Sequence, residues 1–310
     1  MEKRTSMDKD VRWDFEVSDK RKEVWNIELQ MLTEVQKICR RYDLKYYAIA
    51  GTLLGAIRHK GFIPWDDDLD IAMPREDYQK FLDYAEKELP SNCILQTPWT
   101  DEDYFQGHAK IRMKDTTAIR QIQWKDQFKF NQGIFIDIFP LDNIPDNALL
   151  KKIHRYITMR TINRINMGRY YYINAEHTEN DKKLHQKMKI KYHDDKAVLK
   201  TLAFYDKWCA IFNRRNTKKW GMLSAFYYRD DIFSWDRKYF DDVVEMDFED
   251  HKIACPSAYD AILTENYGDY MKPVKGSSQH GDIFFDTKKS YLFYIDKFDE
   301  YGTHDNNYIL

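Results

Sequence analysis

The stretch GTLLGAIRHKGFIPWDDDLDIAM, from Gly51 to Met73, carries the strongest information about the fold of this chain. It opens with a Gly-Thr turn and ends in apolar residues that alternate with the carboxylates of Asp66, Asp68 and Asp70. Successive side chains of a strand point to opposite faces, so the alternation predicts three carboxylates on one face. Like charges this close repel unless a cation lies between them, and oxygen ligands favour Mg2+ or Mn2+. The stretch therefore predicts a metal site suited to phosphate chemistry.

A further carboxylate interrupts a second apolar run. Asp137 stands in GIFIDIF, residues 133–139, where its flanking isoleucines repeat the apolar-Asp-apolar pattern around Asp68 and Asp70. Burying a carboxylate without a partner is costly, and a metal ion is one natural partner. A core Lys or Arg is the alternative partner. With the metal interpretation, Asp137 becomes the third ligand beside Asp68 and Asp70.

The remaining pattern predicts an α+β fold. Apolar residues recur at spacings of three and four from Ser18 to Arg41, with Ser18 placed as an N-cap, which predicts an amphipathic helix. Residues 46–50 and 133–139 are typical of short buried strands, and residues 147–216 of a long helical region. We expect a mixed β-sheet flanked by helices, with a mostly helical insertion.

Three segments are expected along the chain: a catalytic core at 18–146, a basic helical region at 147–235, and a segment at 236–310 that completes the catalytic domain. One continuous domain is the alternative. Residues 151–220 hold 18 Lys and Arg against 6 Asp and Glu. This excess fits either a solvated helical surface or attraction to an anionic membrane or polyanionic acceptor. No nucleic-acid motif accompanies it, so nucleic acid ranks below both.

Composition describes a globular protein of a reducing compartment. The 310 residues are 43% hydrophobic and 32% charged, and the four cysteines are scattered without a CxxC pair. The N-terminus is charged throughout, and no 18 apolar residues run together. We expect a cytoplasmic protein, with peripheral contact at the cytoplasmic face of the inner membrane as an additional possibility raised by the basic region.

The motifs carry a family resemblance. Gly51-Thr52, Asp68-Leu69-Asp70-Ile71 and Ile136-Asp137-Ile138 resemble the pattern of the nucleotidyltransferase superfamily. More narrowly, GTLLGAIRHKGFIPWDDDLDIAMPREDY, GIFIDIFPLD and YGDYMKPV are similar to the LicD family, whose core the fukutin-related proteins share. The resemblance runs from about residue 28 to residue 280 and implies a nucleotidyltransferase-like sheet.

The resemblance implies a transferase that uses a CDP-activated alcohol. LicD-type members move phosphocholine from CDP-choline onto a sugar of a surface glycan, such as lipopolysaccharide or teichoic acid, and release CMP; fukutin-related members move ribitol phosphate. The glycan or lipid-linked glycan acceptor is the second partner. The metal-binding positions correspond to Asp68, Asp70 and Asp137, with Asp66 as an additional acidic neighbour. The turn that meets the nucleotide phosphates corresponds to Gly51 and Thr52.

Other substrate-binding candidates follow from position. Arg58 and His59 lie within the first motif and are expected near the diphosphate, although a structural salt bridge fits Arg58 equally well. Lys110 and Arg112 stand two apart on one strand face, as a phosphate clamp would. His280 matches a histidine near the family's C-terminal end and is expected to bind substrate or order a loop. Candidates for an aromatic choline cage, each also a possible core residue, are Trp65, Trp99, Tyr104 and Trp124.

Three functions remain open from sequence. The first is phospho-alcohol transfer, in which an acceptor hydroxyl attacks the β-phosphorus of the donor. The second is nucleotidyl transfer, which attacks the α-phosphorus, adds NMP to a small acceptor and releases pyrophosphate. The third is a catalytically silent metal- or nucleotide-binding protein, against which the intact Asp68, Asp70 and Asp137 argue.

Overall fold

The structure is a computed structural model that describes residues 10–121, 123, 129–169, 178–224, 233–274, 283–297 and 300–301. Two sequence candidates, Trp124 and His280, lie outside the described residues. Within that part of the chain, every helix is too short or too polar to cross a bilayer.

Helices and strands are mixed along the chain, which confirms the predicted α+β class. The helices are α1 (Asp19–Tyr42), α2 (Ala50–Arg58), α3 (Arg75–Glu88), α4 (Ala148–Arg169), α5 (Glu179–Lys191), α6 (Asp195–Cys209) and α7 (Tyr259–Tyr267). The strands are β1 (Asp10–Arg12), β2 (Phe15–Val17), β3 (Tyr47–Ala48), β4 (Asp70–Pro74), β5 (Cys93–Gln96), β6 (Ala109–Met113), β7 (Thr117–Arg120), β8 (Phe135–Ile144), β9 (Lys219–Gly221), β10 (Ser234–Asp236), β11 (Val243–Phe248), β12 (His251–Pro256) and β13 (Ile283–Asp286).

Strand β8 organises the main sheet. It pairs in parallel with β4, antiparallel with β6 along its first half, and antiparallel with β9 along its last residues. Strand β3 lies beyond β4, β10 beyond β9, and β5 beyond β6. All ten residues of β8 are buried, so Asp137 is a buried carboxylate on a central strand of the sheet.

Strand β8 continues past Pro140, although a proline usually ends a central strand. The N–H of Asp137 donates to the carbonyl of Leu69 on the β4 side, so the nitrogen of Pro140 faces the other side. There the pairing with β6 ends at Ile138 and the pairing with β9 begins at Asp142. Proline is tolerated because its missing N–H falls in the gap between two neighbours.

Two apolar cores underlie the fold. The larger unites α1, the sheet, α3, the β11–β12 hairpin and α7 in one cluster. The smaller lies among α4, α5 and α6 and also takes Tyr104, Phe105 and Phe130 from the sheet's connections. Strands β9 and β10, which follow the helices, pair back onto the main sheet.

The local signals around α1 and α2 have clear physical causes. Ser18 caps α1 by accepting the N–H of Arg21, as its position predicted. Helix α2 has no side-chain cap, and its first residue, Ala50, has a positive φ of 48°. The acidic strand begins only at Asp70, so Asp66, Asp67 and Asp68 form an irregular turn instead of the strand that their alternation predicted.

Candidate active site

Asp70 and Asp137 lie side by side at the centre of the sheet. They are register partners on the parallel strands β4 and β8, so both side chains leave the same face. Lys110 of β6 is the register partner of Asp137 on its other side. Its ammonium donates to both carboxylate oxygens of Asp137, at 2.5 and 2.7 Å. Three neighbouring strands thus bring two carboxylates and one cation into a single row.

The acidic turn completes a cluster of carboxylates beside this row. Oxygens of Asp66, Asp67 and Asp68 lie within 4.8 Å of one another, and Asp67 is only 5% exposed. The charges of Asp68, Asp137 and Asp66 all act on the carboxyl group of Asp70. The predicted ligands Asp68, Asp70 and Asp137 are therefore brought together, although not by the shared strand face that the alternation suggested.

Helix α1 holds the acidic turn in place. The carbonyl oxygen of Asp66 accepts hydrogen bonds from Arg21 Nη1, at 2.7 Å, and from Trp25 Nε1, at 3.1 Å. Glu28 lies one turn further along the same helix face, 1% exposed, and its Oε2 has no hydrogen-bond partner. Sequence analysis missed these residues. The sequence pattern that could have indicated them is their spacing of four and three residues on the buried face of an amphipathic helix. Charged residues are rarely buried on such a face unless they have a partner.

Gly51 and Thr52, which the sequence predicted as a turn, lie instead in the first turn of helix α2, beside the acidic turn. A Cβ added to Gly51 would approach Asp66 Oδ2 to 2.6 Å, so only glycine leaves room for that carboxylate. The hydroxyl of Thr52, which is 4% exposed, accepts the backbone N–H of Asp70 at 2.8 Å. Thr52 therefore anchors the first residue of β4 to α2, and Gly51 keeps the N-terminus of α2 open beside Asp66.

The carboxyl groups of the cluster have opposite pKa shifts. Burial, followed by the charge of Asp68, raises the pKa of Asp70, Asp66 and Glu28 well above their ordinary values. Burial acts in the same direction on Asp137, but the Lys110 charge and a hydrogen bond from His108 outweigh it and lower its pKa. Asp137 is thus held ionised, while its neighbours resist ionisation until positive charge is supplied.

His108 is a contact of Asp137 that the sequence did not point to. Its Nε2 lies 3.0 Å from Asp137 Oδ1, its ring is 4.5 Å from that of Phe139, and its Nδ1 is buried without a partner. A histidine two positions before Lys110 on the same strand side was the available signal, because side chains two apart share a face.

Of the two residues expected to bind phosphate together, Lys110 and Arg112, only Lys110 lies at the candidate site. Arg112 is 1% exposed, and its guanidinium donates to Gln96 Oε1 and to the carbonyl of Gly133, each at 2.6 Å. Its charge also lies over the ring of Phe135. These contacts hold Arg112 inside the sheet, so only Lys110 reaches the carboxylates.

Arg58 and His59 lie at the end of α2 that is remote from Gly51. Arg58 donates to the Tyr270 carbonyl at 2.7 Å and to His59 Nε2 at 2.9 Å, and it forms no salt bridge with any of the described residues. His59 packs edge-on against Trp13 and Trp65, and burial, then the charges of Arg58 and Arg12, lowers its pKa to about 4. The charges that act on His59 do not include the aspartates. His280 is not among the described residues.

The β11–β12 hairpin clamps the loop between α2 and the acidic turn. Glu249, at the hairpin tip, accepts the N–H of Phe62 at 3.1 Å and the Arg12 guanidinium at 2.6 Å. A Cβ on Gly61 would collide with the Glu249 carboxylate, so a larger residue there would displace Glu249 from these hydrogen bonds. No local sequence signal links residues this far apart, and sequence analysis missed the clamp.

A cavity of about 400 Å3 borders the site from the side of α3 and α6. His108 lines it and also contacts Asp137. Trp99 is 56% exposed at this cavity. Of the four aromatic candidates, Tyr104 is buried in the smaller core and Trp65 packs against the larger one, so Trp99 alone of the described three lines the cavity.

The donor set fits a hard divalent cation. All the acidic ligands offer oxygen, and burial together with mutual repulsion disfavours their ionised forms without added positive charge. The same burial and neighbouring charges raise the pKa of Glu28, whose Oε2 lacks a hydrogen-bond partner. Asp68, Asp70 and Asp137, with Asp66 beside them, would hold Mg2+ or Mn2+.

Comparisons with known proteins agree with this geometry. The family model described as "LicD/FKTN/FKRP, nucleotidyltransferase domain" matches residues 43–158, which include the acidic turn and all of β8. The "Lipopolysaccharide cholinephosphotransferase LicD" of Haemophilus influenzae is 30% identical over 249 residues, covering 79% of this chain and 88% of that protein. Uncharacterized proteins of Rickettsia prowazekii and Rickettsia typhi are each 46% identical over 48 residues, or 16% of this chain. With the carboxylates assembled as the motifs predicted and this relative aligned over most of both chains, the protein belongs to the LicD family.

Proposed function

We propose that this protein is a metal-dependent phosphotransferase that moves phosphocholine from CDP-choline to a sugar of a cell-envelope glycan precursor and releases CMP. One observation carries the proposal: Asp70 and Asp137 are register partners next to the acidic turn. The chain in which they stand is 30% identical over 79% of its length to a lipopolysaccharide cholinephosphotransferase.

The reaction is a displacement at the β-phosphorus of the donor. The acceptor hydroxyl oxygen forms a bond to that phosphorus and loses its proton to solvent, the bond to the bridging oxygen breaks, and CMP leaves with that oxygen. Asp68, Asp70 and Asp137 would hold the divalent ion, with Asp66 in support. When bound, the ion supplies positive charge that screens the diphosphate and stabilises departing CMP.

The chain's own groups around the donor phosphates support this role. The Lys110 ammonium lies at Asp137 and adds a second positive charge for a phosphate bound there. The open N-terminus of α2 presents backbone N–H groups beside Gly51, a setting that favours anions. Thr52 fixes the start of β4, and with it Asp70, relative to those N–H groups.

The cavity beside His108 supports choline as the transferred alcohol. Its aromatic walls include Tyr78, Trp99 and Tyr205; of its two carboxylates, Asp206 pairs with Arg75, which also lines the cavity, and Asp83 is exposed. A quaternary ammonium is attracted to aromatic faces and to negative charge, whereas a polyol such as ribitol or glycerol seeks hydrogen bonds. We therefore assign the choline head group to this cavity.

A donor screen tests the proposal. CMP release should be measured with CDP-choline, CDP-ethanolamine, CDP-ribitol and CDP-glycerol, each with Mg2+ and an envelope glycan extract as acceptor. We expect CMP release to be fastest with CDP-choline and to stop on chelation. Pyrophosphate release from an NTP, without CMP release from any CDP-alcohol, would favour nucleotidyl transfer and refute the proposal.

Replacing one predicted ligand tests the mechanism. Asp70→Asn should lower the transfer rate on the order of 100-fold or more, the usual scale for losing a group that stabilises transition-state charge. Asp242→Asn, an equivalent change in an exposed aspartate before β11, should leave the rate unchanged. A wild-type rate in Asp70→Asn would rule out the metal role of Asp70.

A further inference from the structure

Helix α4 carries an apolar stripe on the side that faces away from the protein. Its buried residues are His154, Thr158, Ile162 and Ile165, which mark the inward face. At about 100° per residue, the opposite face contains Leu149, Ile153 and Tyr156. These side chains are 66%, 45% and 61% exposed.

This arrangement is the reverse of an ordinary surface helix. A helix packed on a globular core normally turns polar residues outward and apolar residues inward. Here Leu149, Ile153 and Tyr156 stand at i, i+4 and i+7 on the outer face, and Leu150 beside them is 41% exposed. Contiguous exposed apolar residues mark a surface that contacts something else.

Positive charge surrounds the stripe. Helix α4 contains six Lys and Arg residues and no Asp or Glu. Lys152 and Arg160 are exposed on the outer face, and Arg160 donates to the Tyr156 hydroxyl at 3.0 Å. Within the described part of the chain, no carboxylate pairs with Lys152, Arg160 or Arg164, so these charges are available to an external anion.

We propose that this outer face of α4, formed by Leu149, Lys152, Ile153, Tyr156 and Arg160 with Arg164 at its edge, docks on an anionic lipid bilayer. A bilayer surface offers both an apolar layer for the stripe and phosphate charge for the cations. Acidic lipids match a helix without a single acidic residue, whereas a second copy of the same helix would bring like charges together. The docking face makes no use of the candidate active site, so its failure would leave the proposed transfer reaction intact.

The experiment is flotation of the whole protein with lipid vesicles. Vesicles of phosphatidylcholine with about 30% phosphatidylglycerol should bind the protein, and vesicles of pure phosphatidylcholine should bind it at least ten times more weakly. Binding should weaken as salt is raised from about 0.1 M to about 0.5 M, because exposed charges are then screened. Equal binding to both vesicle types, or none to either, would overturn the proposal.

Two variants separate the apolar and electrostatic parts. Lys152→Gln, Arg160→Gln and Arg164→Gln together should weaken binding on the order of 100-fold, at about 1 kcal/mol for each basic residue. Leu149→Ser, Ile153→Ser and Tyr156→Ser together should weaken binding at least tenfold through lost apolar burial. The matched control removes three exposed lysines elsewhere through Lys45→Gln, Lys87→Gln and Lys114→Gln, and should bind as the wild type does.

Protein stability and two further results decide whether the lost binding belongs to this face. All three variants should keep the wild-type melting temperature, because the replaced side chains are exposed or at the surface; circular dichroism verifies this. If the lysine control lost as much binding as the α4 charge variant, attraction would be a property of total charge and not of this face. If the serine variant abolished self-association measured by ultracentrifugation while vesicle binding persisted, the face would belong to a second copy of the chain.

Discussion

Asp70 and Asp137 are neighbours on adjacent strands, yet their carboxyl groups have opposite pKa shifts. Both are desolvated, so burial alone would raise both pKa values. Asp137 differs because Lys110 and His108 donate to it, whereas Asp70 mainly meets other carboxylates. The protonation of Asp137 is therefore set by Lys110 on the neighbouring strand and by His108 just before that strand, and the protonation of Asp70 by burial and by Asp68 in the acidic turn.

These shifts predict how stability depends on pH when divalent ions are removed. Burial, then the charge of Asp68, raises the pKa of folded Asp70 and Glu28 above their unfolded values near 4. Between those values the folded state binds more protons, so the free energy of unfolding should fall as pH rises. Asp137, whose pKa is lowered, acts in reverse: its contribution is lost only as pH falls below its unfolded pKa.

Calorimetry with a chelator checks this prediction. The melting temperature of the wild type should fall relative to that of Asp70→Asn as pH is raised from about 5 to about 8, and Mg2+ should reduce that relative fall by supplying the missing positive charge. The comparison with the variant is needed because the lowered pKa values of His59, His108 and His154 act in the opposite direction in both proteins. A wild-type melting temperature that rose relative to that of Asp70→Asn would contradict the shifts.

Trp99 gives a residue-scale test of the head-group assignment. Trp99→Ala removes an exposed ring from the cavity wall and should raise the KM for CDP-choline about tenfold, the scale of one cation–π contact. The KM for CDP-glycerol should not change. Trp13→Ala, which removes a ring that is 47% exposed and packs against His59, is the matched control. An equal loss with both donors would assign Trp99 to folding or to the nucleotide.

At the scale of elements, the acidic turn is shaped by its contacts and not by its own alternation. Arg21 and Trp25 of α1 donate to the carbonyl of Asp66. The N–H of Asp66 also closes a turn onto the carbonyl of Ile63. A turn lets carboxylates from successive residues converge, which a strand would not.

Glu249 provides a test of how the turn is supported. Glu249→Ala removes the acceptor of the Phe62 N–H and the partner of Arg12, and should lower the free energy of unfolding by about 1–3 kcal/mol. Loosening the segment before Asp66 should also weaken Mg2+ binding, measured by calorimetric titration. Asp250→Ala, the next residue, whose side chain is 82% exposed, is the control. Unchanged stability and Mg2+ affinity would show that the hairpin does not support the site.

At the scale of the whole molecule, one buried ion pair ties the two cores together. Arg75, at the start of α3, donates to both oxygens of Asp142 on β8, at 2.8 and 2.6 Å. It also pairs with Asp206 of α6, and Asn213 donates to Asp142. Arg75 and Asp142 are 6% and 0% exposed, so each depends on the other for compensation.

Breaking this pair from one side should be strongly destabilising. Asp142→Ala removes the buried carboxylate that compensates the charge of the Arg75 guanidinium. It should lower the free energy of unfolding by about 3–5 kcal/mol. Urea unfolding monitored by tryptophan fluorescence measures the change. Glu76→Ala, which breaks the exposed pair with Lys80 on the same helix, should leave the midpoint unchanged. Similar effects of the two variants would contradict a linking role for Asp142.

Much of the site was predictable from local pattern. The cap at Ser18 and the apolar settings of Asp70 and Asp137 depend on neighbours a few residues away, and each is present in the structure. The turn predicted at Gly51-Thr52 is instead the first turn of helix α2. The cost of burying a carboxylate alone predicted a partner for Asp137, and Lys110 is such a partner. Family membership followed from the motifs and is confirmed by the relative aligned over 79% of the chain.

The amino-acid sequence by itself therefore determined the α+β class, the carboxylate set and the family. Only the tertiary structure decided that Lys110 and His108 donate to Asp137. It also decided that the guanidinium of Arg112 is bound inside the sheet, and that the charges of the acidic turn act on Glu28. The physical reason is the separation along the chain of the residues that interact. Periodicity and capping report forces between residues close in the chain, whereas the charge state of a buried group depends on residues that packing brings from far along it.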